Sequence, residues 1–233
     1  ETGSAKSGIS GQLLNQLAQM DGFLLVVRAF ESDLVMHPSG SVDAKRDVES
    51  MLGELLLNDL IAVERKLEKL KDERKKGGTD KALNEKQSIL FTRLNEALNN
   101  NIPLRKLEYT SEEIKELSSF GLLSRKPVLV VFNQSEGQSA PEMELDVPSV
   151  ALMGKLEMGI AQLSAEDAEM FMQEYGIKEL SLSKMITLSY DLLQVQSFFT
   201  VGEDEVRAWE TKRGATAQES AGEIHTDLAK GFV

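Results

Sequence analysis

The chain contains no cysteine. Disulfides, thiolate-ligated zinc and thiol catalysis are therefore excluded. It has only two histidines, His37 and His225, far apart in sequence, which argues against a histidine-built metal centre. No apolar run approaches the ~20 residues needed to span a bilayer, and no signal peptide is visible. The expectation is a cytoplasmic protein without membrane contact. Positive charge is also in short supply: 26 Lys and Arg stand against 38 Asp and Glu, a net charge of -12. That balance excludes a protein that coats nucleic acid with its whole surface, while leaving room for a local basic patch. There is no initiator Met, and the sequence stops at Gly231-Phe232-Val233 without an evident finish, so a fragment is expected.

What is present is enough for a sizeable core: 233 residues, 41% hydrophobic, room for more than one domain. The central stretch is Pro127 to Glu136, PVLVVFNQSE. A short apolar, β-branched run bounded by proline and a polar turn predicts a buried parallel strand. Open α/β sheets bind ligands at the carboxyl ends of such strands. Asn133 offers a donor and an acceptor, and Glu136 accepts only, a combination suited to a purine edge. A strand followed by an Asn-capped turn is the plainer reading of the same residues.

Taken in order, Glu1 to Gly11 is small, polar and loop-like. Its GSAKSG lacks both the spacing and the preceding strand of a phosphate-binding loop. A helix at 12–20 feeds a second strand, expected to be buried, at 22–28. Residues 43–76 predict one long helix, capped by Asp43 or Asp47. Its Leu56, Leu60, Val63, Leu67 and Leu70 repeat at coiled-coil spacing. Gly77-Gly78 breaks it, and Leu83, Gln87, Leu90, Leu94 and Ala97 repeat the spacing on the return, giving an antiparallel hairpin. Between Glu64 and Lys86 nine Lys or Arg face six Asp or Glu, with Arg74, Lys75 and Lys76 beside the turn. This tip is either a solvated coiled-coil surface or a contact for RNA phosphate or an acidic partner. No aromatic interleaves with the basic residues, so base stacking is not indicated.

A helix opened by Thr110 or Ser111 and Glu113 runs to Phe120 and stops at Gly121. A third short strand lies at 147–152, helices follow after Met153, after Ser164 and over 181–193, and 197–209 predicts a β-hairpin. Met153, Met158, Met170, Met172 and Met185 are expected to fill core gaps.

The order of these pieces resembles the YchF/Obg-like ATPase family of translation-factor P-loop NTPases. The most telling match is SFFTVGEDEVRAWETKRGATAQESAGEIHTDLAKGFV, which is similar to the family's entry into its C-terminal TGS-like domain. Asn133-Gln-Ser-Glu136 resembles the family's Asn-x-x-Glu variant of the base-recognition motif, where GTPases carry Asn-Lys-x-Asp. GSAKSGISGQLLNQLAQMDGFLLVVRAFES and VDAKRDVESMLGELLLNDL are similar to the end of switch II and to the start of the inserted coiled coil.

The resemblance implies an α/β fold: a P-loop NTPase-type parallel sheet, an inserted antiparallel α-helical coiled-coil hairpin, and the start of a β-rich TGS-like domain. The implied boundaries are 1–42 and 121–196 for the nucleotide-binding domain, 43–120 for the insertion and 197–233 for the TGS-like start. It implies ATP binding and slow hydrolysis in preference to GTP, association with the ribosome or RNA, and a monomer. Asn133, Gln134 and Glu136 would border the adenine, with Met153 and Gly154 in the loop that closes over it. Met153-Gly154 departs from the family's usual Ser-Ala at that place. The phosphate loop and the Asp-x-x-Gly before switch II are not in this stretch. The ligands of the Mg²⁺ expected with nucleotide thus lie outside it, and no catalytic side chain is assigned. As written, the polypeptide is not expected to perform phosphoryl transfer alone. A non-catalytic interaction module and a GTP-binding relative are the alternatives.

Overall fold

The computed structural model describes residues 9, 11–76, 80–138, 141, 143–177 and 179–232. The segment compared with a phosphate loop and the Gly77-Gly78 break lie outside these. The chain divides into two compact units, Glu1–Met153 and Gly154–Val233.

The first unit runs α1 (Gly11–Gln19), β1 (Phe23–Ala29), α2 (Ala44–Lys76) and α3 (Lys81–Asn99). A 3-10 turn at Leu104–Lys106 follows, then α4 (Ser111–Leu117), β2 (Val128–Gln134) and β3 (Ser149–Leu152). The three strands form one parallel sheet in the order β1-β2-β3, with Val27 opposite Phe132 and Phe132 opposite Ala151. β2 is buried on both faces through Phe132, as a central strand with a near-continuous apolar run must be. The expectation of burial holds for β1 on one face only. Val27 packs in the core while Leu24 and Val26, which alternate with it, are exposed. Among the described residues, elements pack only on the face that carries Phe23, Leu25 and Val27.

Helix α2 starts where the sequence predicts. Asp43 supplies the cap, accepting from the Arg46 N–H at 3.0 Å, and Asp47 is left for other partners. Its 33 residues serve two separate cores. Val48 and Leu55 pack on β1 and β2 with Leu123, Val128, Val130 and Phe132. Val63 and Leu70 pack with Leu90, Phe91, Leu94 and Leu98 of α3, and with Leu104, Leu117 and Leu122. Between them sits Asp59, almost fully buried. Its carboxylate accepts from Leu123 N–H and Ser124 N–H, both at 2.7 Å, and from the Ser124 hydroxyl at 2.6 Å. Desolvation pushes the Asp59 carboxyl above its usual range, against the lowering effect of those hydrogen bonds.

The return seam differs from expectation at its start. Leu83 is exposed, and Asn84 is buried in its place, donating to the Leu70 carbonyl at 3.1 Å. A seam amide is tolerated where its buried donor finds an acceptor, here the Leu70 carbonyl. α4 opens with the expected capping box between Thr110 and Glu113. Gly121 then turns the chain at φ +57°, and a Cβ there would lie 2.7 Å from the Ala18 side chain. Lys126 caps the other end of that contact, donating to the Leu17 and Ala18 carbonyls at 2.8 and 2.6 Å and also to Met20. A cation on the last carbonyls of α1 matches the helix dipole.

The second unit runs α5 (Gly154–Ile160), α6 (Ala165–Glu174), α7 (Ser181–Leu193), β4 (Val195–Val201), β5 (Val206–Lys212), α8 (Ala217–Ile224) and α9 (Thr226–Lys230). Ser164 caps α6 as predicted, and Glu157 of α5 accepts from the Ser181 N–H and hydroxyl at the start of α7. The expected hairpin is present and longer, an antiparallel pair from Val195 opposite Lys212 to Val201 opposite Val206. Trp209 donates to Thr200 at 2.9 Å across it, with Arg207 stacked on the indole. Met158 and Met170 are more than half exposed, not the gap-fillers expected. Helical spacing alone does not tell which turn of an amphipathic helix faces inward.

Candidate functional site: the carboxyl end of the parallel sheet

The expected base-reading residues lie on the last residues of β2 and the turn after it. β2 is clamped on both sides: Asn133 pairs in register with Arg28 of β1 and with Leu152 of β3, and Gln134 with Ala29. Asn133 and Gln134 are half-buried, and Glu136 is exposed. The turn that carries Glu136 is closed by Gln138, whose side-chain oxygen accepts from Ser135 N–H at 3.0 Å, and Gly137 adopts φ +74°. Glu136 is thus held on a short defined turn, its carboxylate toward solvent, three residues beyond an amide fixed in the sheet. Gln134 adds an oddity. Its side-chain oxygen is sealed from solvent and has no hydrogen-bond partner among the described residues. A buried amide acceptor left unmet costs about 1–3 kcal/mol. The exposed Glu136 carboxylate and the half-buried Asn133 amide carry the acceptor and donor types that suit a purine edge.

Met153 follows β3 by one residue, half-buried, at the same end of the sheet. Gly154 opens α5 of the second unit.

The 30–42 segment also leaves the sheet at this end, directly after β1. Arg28 holds it, donating to the carbonyls of Phe30 at 2.9 Å and Val35 at 2.8 Å, with its guanidinium over the Phe30 ring. His37 lies 3.0 Å from the Asp47 carboxylate through Nε2, and its Nδ1 accepts from Ser39 N–H. Arg46 donates to the same carboxylate at 2.8 and 2.9 Å and to the Ser41 carbonyl. Leu34 and Met36 stand almost fully exposed within this tied-down segment. Sequence reasoning weighs His37 only as a metal ligand and misses this cluster. The available signal is a histidine ten residues ahead of the acidic first turn of a capped helix. Among the described residues no group of three or more His, Asp or Glu has the geometry to hold a metal ion.

Arg74, Lys75 and Lys76 form the last turn of α2, all exposed, with Lys75 3.6 Å from Asp72. They complement the helix dipole there. The structure does not bring them to the sheet: Lys76 lies seventeen helical steps beyond Asp59 on a continuous helix, about 25 Å at 1.5 Å per residue.

A parallel sheet whose apolar central strand ends in Asn133-Gln134, interrupted after its first strand by a helical hairpin, is consistent with an α/β NTPase of the P-loop type, and a solved structure bears that class out. The solved structure of the Schizosaccharomyces pombe YchF GTPase matches at a TM-score of 0.80 and 28% identity, over 99% of this chain and 65% of that one. The ribosome-binding ATPase YchF of Bacillus subtilis is 35% identical over 99% of the chain, and that of Escherichia coli O157:H7 is 35% identical over the same share. The Obg-like ATPase 1 of Rattus norvegicus is 31% identical over 97%. The YchF-GTPase_C model, described as a protein of unknown function (DUF933), matches residues 195–233. The chain belongs to the YchF/Obg-like ATPase family. It spans 66% and 65% of the two bacterial relatives and 60% of the rat one.

Proposed function

We propose that this chain is the base-reading and hairpin-bearing part of an ATP-binding and ATP-hydrolysing switch that works at the ribosome. The observation that carries the proposal is Asn133-x-x-Glu136 at the carboxyl end of the central parallel strand. A Glu in place of Asp sets the carboxylate about one methylene further out, and Gln134 in place of Lys removes a stacking wall and a charge. In this reading Asn133, Gln134 and Glu136 border the adenine, and Met153 and Gly154 belong to the loop over it. Mg²⁺ accompanies the nucleotide on ligands outside this sequence, and the bound triphosphate with its metal supplies the phosphoryl chemistry. This chain's own residues orient the base.

The names of the bacterial relatives support action at the ribosome, and with it a cytoplasmic location. Among the described residues no helix is long and apolar enough to cross a membrane. A monomer, and a division into nucleotide-binding, hairpin and TGS-like parts at 42/43, 120/121 and 196/197, complete the proposal. The Schizosaccharomyces pombe relative is named a GTPase and the bacterial ones ATPases, so base choice is the point to test. In the full-length protein, Glu136→Ala should change the ratio of ATP to GTP affinity by about tenfold or more, as loss of a charged hydrogen bond requires. Labelled-nucleotide titration reads it. Unaltered affinities for both nucleotides would refute the base-reading assignment.

A second reading, a non-catalytic interaction module, is favoured by the exposed Arg74, Lys75 and Lys76. It expects charge reversal at these three to weaken ribosome co-sedimentation equally with and without nucleotide. An unchanged pellet would remove the tip from either account.

A further inference from the structure

The hairpin carries a second surface, away from its basic tip. Between α3 and α4 lies a groove of about 360 Å³. Leu90 forms its floor, and Leu83 and Ile89 line it from α3. Ile89 is 68% exposed and Leu83 47%, large apolar side chains held open to solvent on a rigid helix. The α4 side is acidic. Glu112 and Glu116 are one turn apart, so both carboxylates lie on the face toward the groove. Glu112 is 88% exposed and has Lys86 at 3.8 Å, a loose pair in water, while Glu116 accepts from the neutral amide of Gln87 at 2.5 Å. A partner cation therefore meets one carboxylate held only by a neutral amide and another whose charged partner exchanges readily. The third acid, Glu113, is committed to the Thr110 cap and to Arg93.

We infer that this groove is a docking site for a short basic amphipathic segment of another protein, one that seats an aliphatic side chain between Leu83, Ile89 and Leu90 and sets Arg or Lys on Glu112 and Glu116. The charge of the rim selects this occupant over nucleic acid, whose phosphates would meet Glu112 and Glu116 with like sign. An i, i+4 pair of carboxylates matches basic residues spaced by one helical turn, so a helix is the fitting form. The inference stands apart from the nucleotide reading, because no residue of it touches the sheet.

The test is fluorescence anisotropy on the full chain with a labelled helical peptide of Ala carrying Leu at one-turn spacing and Arg beside it. The same peptide with Glu for Arg is the charge control, and a labelled single-stranded RNA oligomer is the other probe. Ile89→Asp and the pair Glu112→Lys with Glu116→Lys should each weaken the basic peptide about tenfold or more. Charge reversal at Arg74, Lys75 and Lys76 should leave it alone, and amide shifts should fall on Leu83, Lys86 and Glu116. Ile89 and Glu112 are exposed and Glu116 is half-buried, and an unchanged circular dichroism melt confirms that each variant is folded. Failure of the basic peptide to bind, equal binding of the acidic peptide, unchanged affinity in Ile89→Asp, or RNA binding that is lost in Ile89→Asp would each overturn the inference.

Discussion

Removing the Asp59 carboxylate should undo the joint between the two cores of the first unit. Asp59→Ala leaves the Leu123 and Ser124 N–H groups buried with no acceptor, and frees the Ser124 hydroxyl to turn elsewhere. Each orphaned buried donor costs about 1–3 kcal/mol. Two give about 2–6, near the 3–5 kcal/mol typical of breaking a buried charged network from one side. An apolar isostere does not rescue it. The usual escape, replacing both partners, is closed because the partners are backbone. Asp59→Leu should therefore cost as much as Asp59→Ala, and Asp59→Asn, which keeps one acceptor, about half. The chain has two compact units, so a single melting curve mixes them. Hydrogen exchange at the Leu123 and Ser124 amides isolates the relevant one. A loss of about 4 kcal/mol lowers their protection roughly a thousandfold. Protection within tenfold of the parent in Asp59→Leu would refute the account, and would mean that burying the charge offsets the bonds it makes.

Other outcomes follow from single contacts. Burial pushes the Tyr109 phenol up to about 12, opposed by Arg125 and Arg93, and its hydroxyl donates to the Leu104 carbonyl at 2.9 Å. The stability it contributes is complete below its unfolded value of 10.0 and is lost as pH rises through the folded one. Spectrophotometric titration to about pH 11 should therefore give nearly the same amplitude in the parent and in Tyr109→Phe; a parent amplitude larger by one full tyrosine would contradict this. The Thr110 N–H holds the Glu113 carboxyl below its usual range, helped by Arg93. Glu113→Gln should destabilise at pH 6 and less so as pH falls below about 4.5, where the parent loses the same charge; a deficit independent of pH would show that the charge contributes nothing. Gly121→Ala should destabilise by about 1 kcal/mol or more, since the left-handed backbone and the Ala18 side chain both resist a Cβ. Chemical denaturation that finds the variant as stable as the parent would remove that contact.

Much of this architecture is legible in the sequence because local signals agree. The Asp43 cap and the apolar spacing of α2, the Thr110–Glu113 box, the Pro127 boundary and the Gly202-Glu203-Asp204 stretch inside the 197–209 hairpin each fix their element without tertiary help. The strand end is legible for the same reason, since a β-branched run leading into Asn-Gln-Ser-Glu positions its polar residues by chain geometry alone. What escapes depends on partners far off in sequence. Asp59 looks like one more polar residue on a helix until the backbone at 123–124 comes to meet it. The exchange of Leu83 for Asn84 is set by the Leu70 carbonyl on the opposite helix, and the exposure of Leu24 and Val26 by what packs on β1. The His37–Asp47–Arg46 cluster joins a loop to a helix start, and neither segment alone announces it.

Because α2 is one unbroken rod embedded at its start in the sheet core and gripped at Asp59, it works as a lever with the fulcrum near its midpoint. The arm from Asp59 to Lys76 is about 25 Å. A tilt of about 5° at that fulcrum carries the basic tip through about 2 Å, more than a side-chain contact tolerates. Because the arms on either side of Asp59 are nearly equal, a displacement of the α2 start against β1 and β2 reaches the far end of the hairpin at about the same size and in the opposite sense.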